Sequence, residues 1–490
     1  MTEIRLVDVT MRDGNQSLWG ATGLNTAHML QAAALTEACG FRAIDFTSSS
    51  HMAVAVRYFQ NNPWERLRRM HAAMPTTPLQ FITTGLRFIA WQQADPDFMR
   101  LVYRALQTNG VGRFVLLDPM HEVPAVIETA RLVKEEGDAE VMCALTFTLS
   151  EIHTDAFYAN FAREVGKSQD IDLYYIKDPA GLLSVDRART LVPAIKAAIG
   201  NKPLEIHSHT TVGLGMMSSL EAARLGISAI HVGVGPGGDG SSLPEANRMV
   251  ANLEEAGFSV GIDKRALARL TDYWNRVANA EGLPSGRPQN FDASFLRHQI
   301  AGGVMTTIAR QLDELGLADR MGAVIEETGQ VRADLGYPIM VTPFPQMVMT
   351  QALYNVIGDR RYAQVSDQVI RYSMGKFGKP TSPINSEVLA TIMDRPRSRE
   401  LENEPLFPAL ADLRRQFGAD LPDEEFLLRA VMPGEQVDAM LAAGRSRSTY
   451  TPEAAPIISL LRQLAAKPDA RDIVVERGSF RMALHAGASL

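Results

Sequence analysis

The sequence predicts an α/β protein with a (β/α)8 TIM barrel over residues 1–290 and a mainly helical domain over residues 291–490. Eight short apolar runs alternate with amphipathic helical stretches through the first half of the chain. Eight β-α units over about 250 residues match a closed barrel, whose active site lies at the carboxyl ends of the strands. A doubly wound open sheet is the competing topology, and the count of eight favours the barrel.

The predicted strands are short runs rich in apolar residues. They are IRLVDVT (4–10), RAIDFT (42–47), LQFITT (79–84), RFVLLD (113–118), VMCALTFT (141–148), DLYYIKD (172–178), LEIHSH (204–209) and AIHVGV (229–234). The stretches TAHMLQAAALTEACG and SVDRARTLVPAIKAAIG have apolar residues three and four positions apart and end in glycine, which is typical of amphipathic helices.

The pattern changes after about residue 290, where amphipathic helices broken by glycine and proline replace the strands. This helical pattern continues to about residue 450. The segment 472–486 then alternates between apolar and polar residues, which predicts a short terminal β hairpin.

Composition excludes several classes of protein. The chain has 490 residues, 46% of them hydrophobic, a formal net charge of -7 and no long basic block, so we expect a globular protein that does not bind nucleic acid. The sequence contains no run of about 18 apolar residues and begins with charged residues where a secretory signal is apolar. The only two cysteines, Cys39 and Cys143, favour a reducing compartment. We therefore expect a cytoplasmic protein without a membrane span.

Ligand-type side chains follow three of the predicted strands. Asp13 follows the first strand, and His207 and His209 end the seventh, where residues i and i+2 of an extended strand point to one face. One carboxylate and two imidazoles suit a divalent cation such as Zn²⁺, Mn²⁺ or Co²⁺. An ordinary polar strand end would also explain the two histidines.

Lys177 ends the sixth strand and is the unusual member of this set. A protonated lysine beside a dication is unfavourable, so the neutral amine would be favoured there. A neutral amine can capture CO₂ as a carbamate, which supplies an anionic oxygen ligand. Alternatively, Lys177 pairs with Asp178 or another acid.

Several motifs resemble those of a known family. The segments DVTMRDGNQS, YYIKDPAGLL, HSH and IAGGVMTTIARQL are similar, in order and spacing, to the carboxyltransferase domain of pyruvate carboxylase, the oxaloacetate decarboxylase alpha subunit and transcarboxylase. FQNNPWERLRRM and LLRAVMPGEQVDAMLAAG extend the similarity over nearly the whole chain. The resemblance implies a metal-dependent barrel with a helical C-terminal funnel, which moves a carboxyl group between biotin and a 2-oxo acid.

The resemblance also implies roles for individual residues. Its metal ligands fall on Asp13, Lys177 as the carbamate, His207 and His209, and its proton-shuttling threonine falls on Thr306. Gln16 would hydrogen-bond substrate oxygens. Arg12 would stabilise the developing enolate or, alternatively, clamp Asp13, and Thr306 could also cap a helix.

The predicted substrate pocket departs from the family pattern. Thr84 takes the place of an arginine that pairs with substrate, and Met305 and Trp91 replace two tyrosines. Arg87 either reaches back to replace the missing cation or lies in solvent. Asp118, at the end of the fourth strand, completes the predicted substrate-binding set with Thr84, Arg87 and Trp91. These changes predict a carboxylic acid substrate other than pyruvate.

The partner predictions rest on the same resemblance. The sequence contains no AMKM motif of the kind that carries biotin in the family, so biotin is either on a separate carrier protein, loaded by a biotin carboxylase, or not used. We also expect a homodimer. A biotin-independent decarboxylase is one alternative. Another is an aldol or Claisen lyase such as hydroxymethylglutaryl-CoA lyase, although those enzymes lack the lysine ligand and have a loop cysteine that GVGPGGDGSSLPE lacks.

Overall fold

Parallel strands close into a barrel in which β1 pairs with β2 on one side and with β8 on the other. The structure is a computed structural model that describes residues 2–90, 92–300, 312–314, 316–451, 472–478 and 480–485. The barrel strands are β1 (Glu3–Asp8), β2 (Ala43–Ser48), β3 (Leu79–Thr83), β4 (Val111–Leu116), β5 (Glu140–Thr146), β6 (Leu173–Asp178), β7 (Leu204–Ser208) and β8 (Ala229–Val232). The predicted barrel is confirmed, and the open-sheet alternative is wrong.

Helices lie between the barrel strands and after the last of them. In chain order these are Asn15–Trp19, Thr26–Cys39, Ser49–Phe59, Pro63–Ala73, Pro96–Thr108, Val123–Glu135, Asp155–Val165, Val185–Ile199, Gly215–Arg224, Ala246–Glu255 and Lys264–Glu281. Every residue of β2, β3, β6, β7 and β8 is buried, because helices pack on the outer face and side chains fill the interior.

A single π-helical turn, Thr10–Gly14, follows β1 and presents Arg12 and Asp13 at the barrel mouth. Such wide turns are rare and are frequently found at functional sites. Gly14 allows close packing here, since a Cβ atom at this position would lie 2.7 Å from the carbonyl oxygen of Gly237. The turn therefore packs closely against the loop that follows β8.

The C-terminal half is mainly helical, as predicted. Its described α-helices longer than one turn are Met321–Asp334, Phe344–Ile357, Asp367–Ser373, Ser386–Met393, Pro396–Glu402, Leu410–Phe417, Asp423–Val431 and Gly434–Ala443. A four-residue helix, Phe295–His298, precedes them, and 3₁₀ turns occur at Gly235–Gly237 and Ala318–Arg320.

These helices belong to two hydrophobic cores. Residues such as Val324, Val348 and Ile370 form a core of their own, whereas Leu413 and Phe426 join the core of the barrel. The indole nitrogen of Trp64 donates to the carbonyl oxygen of Glu424 at 3.0 Å, which ties residues 423–431 to the barrel. The division at residues 290/291 remains a prediction, since the last of these helices pack on the first unit.

Three further strands complete the description. β9 (Ser259–Val260) adds to β1 outside the barrel, and β10 (Asp472–Arg477) pairs antiparallel with β11 (Phe480–His485). Within the described residues, no helix is long and apolar enough to cross a membrane.

Candidate active site

Four of the predicted site residues lie together at the carboxyl ends of the barrel strands. Asp13 lies on the turn after β1, Lys177 and His207 are paired neighbours on β6 and β7, and His209 immediately follows β7. All four side chains are buried, with at most 5% of each residue exposed. The barrel therefore brings together residues that are up to 196 positions apart in sequence, counting from Asp13 to His209.

Their polar atoms converge on one small volume. His207 Nε2 lies 3.1 Å from Asp13 Oδ2, 3.3 Å from His209 Nε2 and 3.0 Å from Lys177 Nζ. Asp13 Oδ1 lies 3.4 Å from His209 Nε2. A metal ion with ligands at about 2.1 Å requires neighbouring ligand atoms roughly 3.0–3.4 Å apart, so the spacing fits a single ion.

The hydrogen bonds of His209 identify which of its nitrogens is free. His209 Nδ1 lies 2.7 Å from the carbonyl oxygen of Ser241, which can only accept, so Nδ1 carries the hydrogen. The neutral ring then has a bare lone pair on Nε2, which faces Asp13. Burial opposes ionisation of Asp13, but the charge of Arg12 holds the pKa of its carboxyl well below the ordinary value. A nitrogen lone pair and a carboxylate that face each other are the ligand atoms a divalent metal binds, so this arrangement fits such an ion.

Lys177 shares the acceptors of this cluster. Its Nζ donates toward His207 Nε2 at 3.0 Å and Asp13 Oδ2 at 3.5 Å. Burial lowers the pKa of the amine to about 8, with the charge of Asp13 opposing that shift. At pH 7 about a tenth of this amine is therefore neutral, which is the form that carbamate formation requires.

Arg12 is held from two sides. Its Nη1 lies 2.9 Å from Asp13 Oδ2, and its Nε donates to Asp45 Oδ2 at 2.9 Å, with a second bond from Nη2 to the same oxygen. These contacts are those expected if Arg12 clamps Asp13, which is one of the two roles predicted for it from the sequence. Contact with substrate remains a prediction.

The predicted substrate residues lie around a separate cavity or at the mouth. Gln16 is exposed and Thr84 is half-buried just after β3. Arg87 and Asp118 line a cavity of about 310 Å³. Burial lowers the pKa of Arg87, with the charges of Asp118 and Glu122 opposing the shift, and its Nη2 donates to the carbonyl oxygen of Lys376 at 3.3 Å. Arg87 is thus half-buried among acids and does not extend into solvent, contrary to one of the two alternatives.

The carboxylate of Asp118 organises its own loop. Its two oxygens accept from the backbone nitrogens of Met120 and Glu122, at 3.0 and 2.7 Å. Burial nevertheless raises the pKa of Asp118 to about 6. Three residues of the predicted substrate pocket, Thr306, Met305 and Trp91, lie outside the described residues.

Sequence reasoning missed three contributors to the site. Ser17 Oγ donates to Asp13 Oδ1 at 2.8 Å, Asp45 holds Arg12, and the carbonyl oxygen of Ser241 orients His209. The four-residue spacing of Asp13 and Ser17 and the lone acid within the apolar run AIDFT were available signals. Nothing in the sequence indicates the contact of a loop carbonyl with His209.

The barrel, with this polar cluster at its mouth, defines a (β/α)8-barrel enzyme. A conserved carboxylase domain matches residues 295–459. A pyruvate carboxylase subunit of Methanocaldococcus jannaschii is 33% identical over 392 residues, which cover 80% of this chain and 68% of that protein. The 2-oxoglutarate carboxylase large subunit of Hydrogenobacter thermophilus is 28% identical over 475 residues, covering 95% of this chain and 72% of that protein.

The solved carboxyl transferase domain from Rhizobium etli pyruvate carboxylase has the same fold, with a TM-score of 0.82 and 21% identity, over 100% of this chain and 84% of that one. The chain belongs to the carboxyltransferase family of pyruvate carboxylase, oxaloacetate decarboxylase and transcarboxylase. It is an enzyme of the carboxyltransferase type, and the family predicted from the motifs is confirmed.

Proposed function

We propose that the protein is a metal-dependent carboxyltransferase that moves a carboxyl group between biotin on a separate carrier protein and a 2-oxo acid. The observation that carries this proposal is the convergence of Asp13, Lys177, His207 and His209 at 3.0–3.5 Å at the barrel mouth. Family membership supports the reaction type.

The proposed metal ligands are Asp13, His207, His209 and a carbamate on Lys177, which suit Zn²⁺, Mn²⁺ or Co²⁺. In carbamate formation the neutral amine nitrogen bonds to the carbon of CO₂ and releases one proton. A bound dication polarises the carbonyl of a 2-oxo acid and so favours its enolate. The carbamate anion also removes the conflict between a lysine ammonium and a dication.

The other residues have roles that this chemistry requires. Arg12, fixed by Asp45 and buried, supplies a permanent positive charge near the ligands, which lowers the free energy of a developing enolate. Gln16, which is exposed, would hydrogen-bond substrate oxygens. Thr306 would pass a proton between the substrate carbon and biotin N1, since a hydroxyl can give one proton and accept another without acquiring net charge.

The proposed substrate is a bulkier or less charged carbonyl acid than pyruvate. Thr84 offers no cation to a substrate carboxylate, and Arg87 lies near the acids Asp118 and Glu122. The names of the relatives show variation in acceptor, since one is a pyruvate carboxylase subunit and another a 2-oxoglutarate carboxylase subunit.

The proposed partners follow from the relatives that are named as subunits. We infer a separate biotin carrier protein and a biotin carboxylase, and assembly of this chain as a homodimer. A biotin-independent decarboxylase on the same site is the alternative for the reaction. The close packing of Lys177 against His207 supports carboxyl transfer over the aldol or Claisen lyase reaction.

One experiment tests the function and the alternative together. The metal-loaded enzyme is incubated with a panel of 2-oxo acids and their carboxylated forms, with and without free biotin. Carboxyl transfer predicts that biotin accelerates decarboxylation of at least one carboxylated acid. Decarboxylation that is equally fast without biotin would support the alternative, and cleavage of a carbon–carbon bond into two organic fragments without release of CO₂ would support a lyase.

A further inference from the structure

A line of buried polar side chains runs from His207 away from the candidate metal position into the barrel. His207 Nδ1 lies 3.0 Å from His231 Nδ1, and His231 Nε2 lies 3.1 Å from Glu205 Oε2. Glu205 Oε1 lies 2.7 Å from Arg113 Nη2. These residues project from β7, β8 and β4, and none is more than 1% exposed.

The chemistry of Arg113 and Glu205, the two residues farthest from the candidate metal position, fixes the direction of every hydrogen bond in this line. Arg113 can only donate, and its guanidinium lies against Glu205 Oε1, so that Glu205 is a carboxylate that can only accept. His231 Nε2 must therefore carry a hydrogen that it donates to Glu205. The single negative charge of Glu205 is already paired with Arg113, so the fully buried His231 ring is neutral, which leaves Nδ1 bare.

The same reasoning then reaches His207. A bare His231 Nδ1 can only accept, so His207 Nδ1 must be the donor of the 3.0 Å contact. A neutral His207 with hydrogen on Nδ1 has its lone pair on Nε2, the atom that faces Asp13 and His209. The reverse tautomer would place a hydrogen on Nε2 and block coordination there.

We propose that Glu205 and His231 are positioning residues that hold His207 in the tautomer whose Nε2 binds a divalent cation. This inference rests on the proposed function, since it assumes that the cluster of Asp13, His207 and His209 holds a metal. It assigns a role to residues that do not themselves reach the cation.

The surroundings hold this line in place. The ring of Tyr175 stacks on His231 with the centroids 5.4 Å apart and also meets His207 edge-on at 5.8 Å. Arg113 Nε lies 3.1 Å from Glu140 Oε2, which anchors the far end on the neighbouring strand β5. Rotation of the His231 ring is thereby restricted, and the direction of the hydrogen bonds is kept.

Glu205→Gln provides a nearly isosteric test. The amide oxygen can face only one of two donors, and the charged Arg113 competes best for it. The amide NH₂ would then face His231 Nε2, which must accept, so the hydrogen moves to His231 Nδ1 and forces the wrong tautomer on His207. Groups that orient a metal-bound histidine typically change metal affinity 10–100-fold, so we expect the Co²⁺ dissociation constant to rise by about that factor.

Two substitutions at His231 complete the test. His231→Leu removes the acceptor and should weaken Co²⁺ binding similarly. His231→Asn places a side-chain oxygen near the position of Nδ1 and should restore affinity to within about fivefold of wild type, a smaller change than the 10–100-fold expected for a lost orienting group. Tyr175→Phe is the matched control, because it keeps the stacked ring and removes a hydroxyl that has no hydrogen-bond partner among the described residues.

The measurement is Co²⁺ titration of the metal-free proteins, followed by the visible absorption of the bound ion, with thermal unfolding of each metal-free protein alongside. The inference is supported if Glu205→Gln and His231→Leu bind Co²⁺ more weakly and His231→Asn recovers affinity. The inference is overturned if Glu205→Gln and His231→Leu bind Co²⁺ as tightly as wild type does, or if these two substitutions only lower the unfolding temperature. If Glu205→Gln does not fold, the two His231 variants decide. Wild-type protein that binds no Co²⁺ would instead refute the proposed metal site, and this inference with it.

Discussion

Lys177 Nζ lies 3.0 Å from His207 Nε2, within a cluster of atoms that otherwise accept hydrogen bonds. The amine can occupy this position in two ways. As an ammonium it neutralises Asp13 itself and takes the place of a cation. As a carbamate it becomes an anion and adds a ligand for one. The two states give opposite expectations for the effect of removing the side chain, so a single variant separates them.

Lys177→Ala should lose most bound metal and most activity, because a missing anionic ligand removes both charge and geometry. Metal content after dialysis and turnover are measured together. Lys167→Ala, which removes an exposed lysine paired with Glu164, is the control and should retain both. If Lys177 acts only as an ammonium, the variant would instead keep or gain metal. Full metal content together with an unmodified wild-type lysine, seen in electron density, would refute the carbamate.

Thr306→Ala should fold and bind substrate but lose about 10²–10⁴-fold in turnover, the usual contribution of a positioned proton-transfer group. Thr306→Ser keeps the hydroxyl and should retain part of the rate. The measurement is kcat and KM for carboxyl transfer, with metal content as a check on folding. Near-normal turnover of the alanine variant would mean that Thr306 only caps a helix.

The barrel could be predicted from the sequence because its signals are local. Each strand is a short apolar run, and in the helices between the strands apolar residues recur every three or four positions. The two histidines of β7 were visible for the same reason, since alternation along one strand puts them on one face. Asp13 and Lys177 could be added because the carboxyl ends of all barrel strands meet at one mouth.

The contacts that hold these site residues in position could not be predicted in the same way. Asp45 reaches Arg12 from a neighbouring strand, and the line from His207 through His231 to Glu205 crosses between strands. Such contacts depend on register and on the tilt of the barrel, which no local pattern specifies. The exposure of Arg87 was left open because a loop residue's surroundings come from distant segments, here Asp118 and Lys376.

Asp8 should make stability depend on pH in an identifiable window. Its Oδ1 accepts from the backbone nitrogen and hydroxyl of Thr10, whereas Oδ2 has no hydrogen-bond partner among the described residues. Burial raises the pKa of this carboxyl to about 6. The native protein therefore keeps a proton that the unfolded chain releases near pH 4, and the free energy of unfolding falls as the pH rises toward 6.

The size of this loss is about 3 kcal/mol, for a shift of roughly two pKa units at a fully buried group, and it should be complete above pH 6. Urea unfolding of wild type and Asp8→Asn between pH 4 and pH 7 measures it. The difference in unfolding free energy between the two proteins should change across that window. Parallel curves for the two proteins would show that Asp8 does not titrate there.

The altered pocket gives the last prediction. Thr84 replaces the family's arginine, so we expect weak or absent turnover of pyruvate and oxaloacetate, and Thr84→Arg should shift activity toward pyruvate. If Arg87 leaves Asp118 and Glu122 to pair with a substrate carboxylate, Arg87→Ala should cost that substrate a few kcal/mol in kcat/KM. Arg100→Ala, which removes an arginine of helix Pro96–Thr108 that pairs with Glu135, is the control and should change neither the activity toward pyruvate nor the kcat/KM for the other acids.

The kinetic pattern separates the possibilities, because loss of a charged partner acts only on substrates that carry the matching carboxylate. An Arg87→Ala effect confined to dicarboxylates would assign Arg87 to the second carboxylate, whereas an equal loss for all acids would mean that Arg87 supports the loop through its bond to the Lys376 carbonyl oxygen. Fast oxaloacetate decarboxylation by wild type, unchanged by Arg87→Ala, would contradict both roles, since neither Thr84 nor Arg87 would then determine which acid the site accepts.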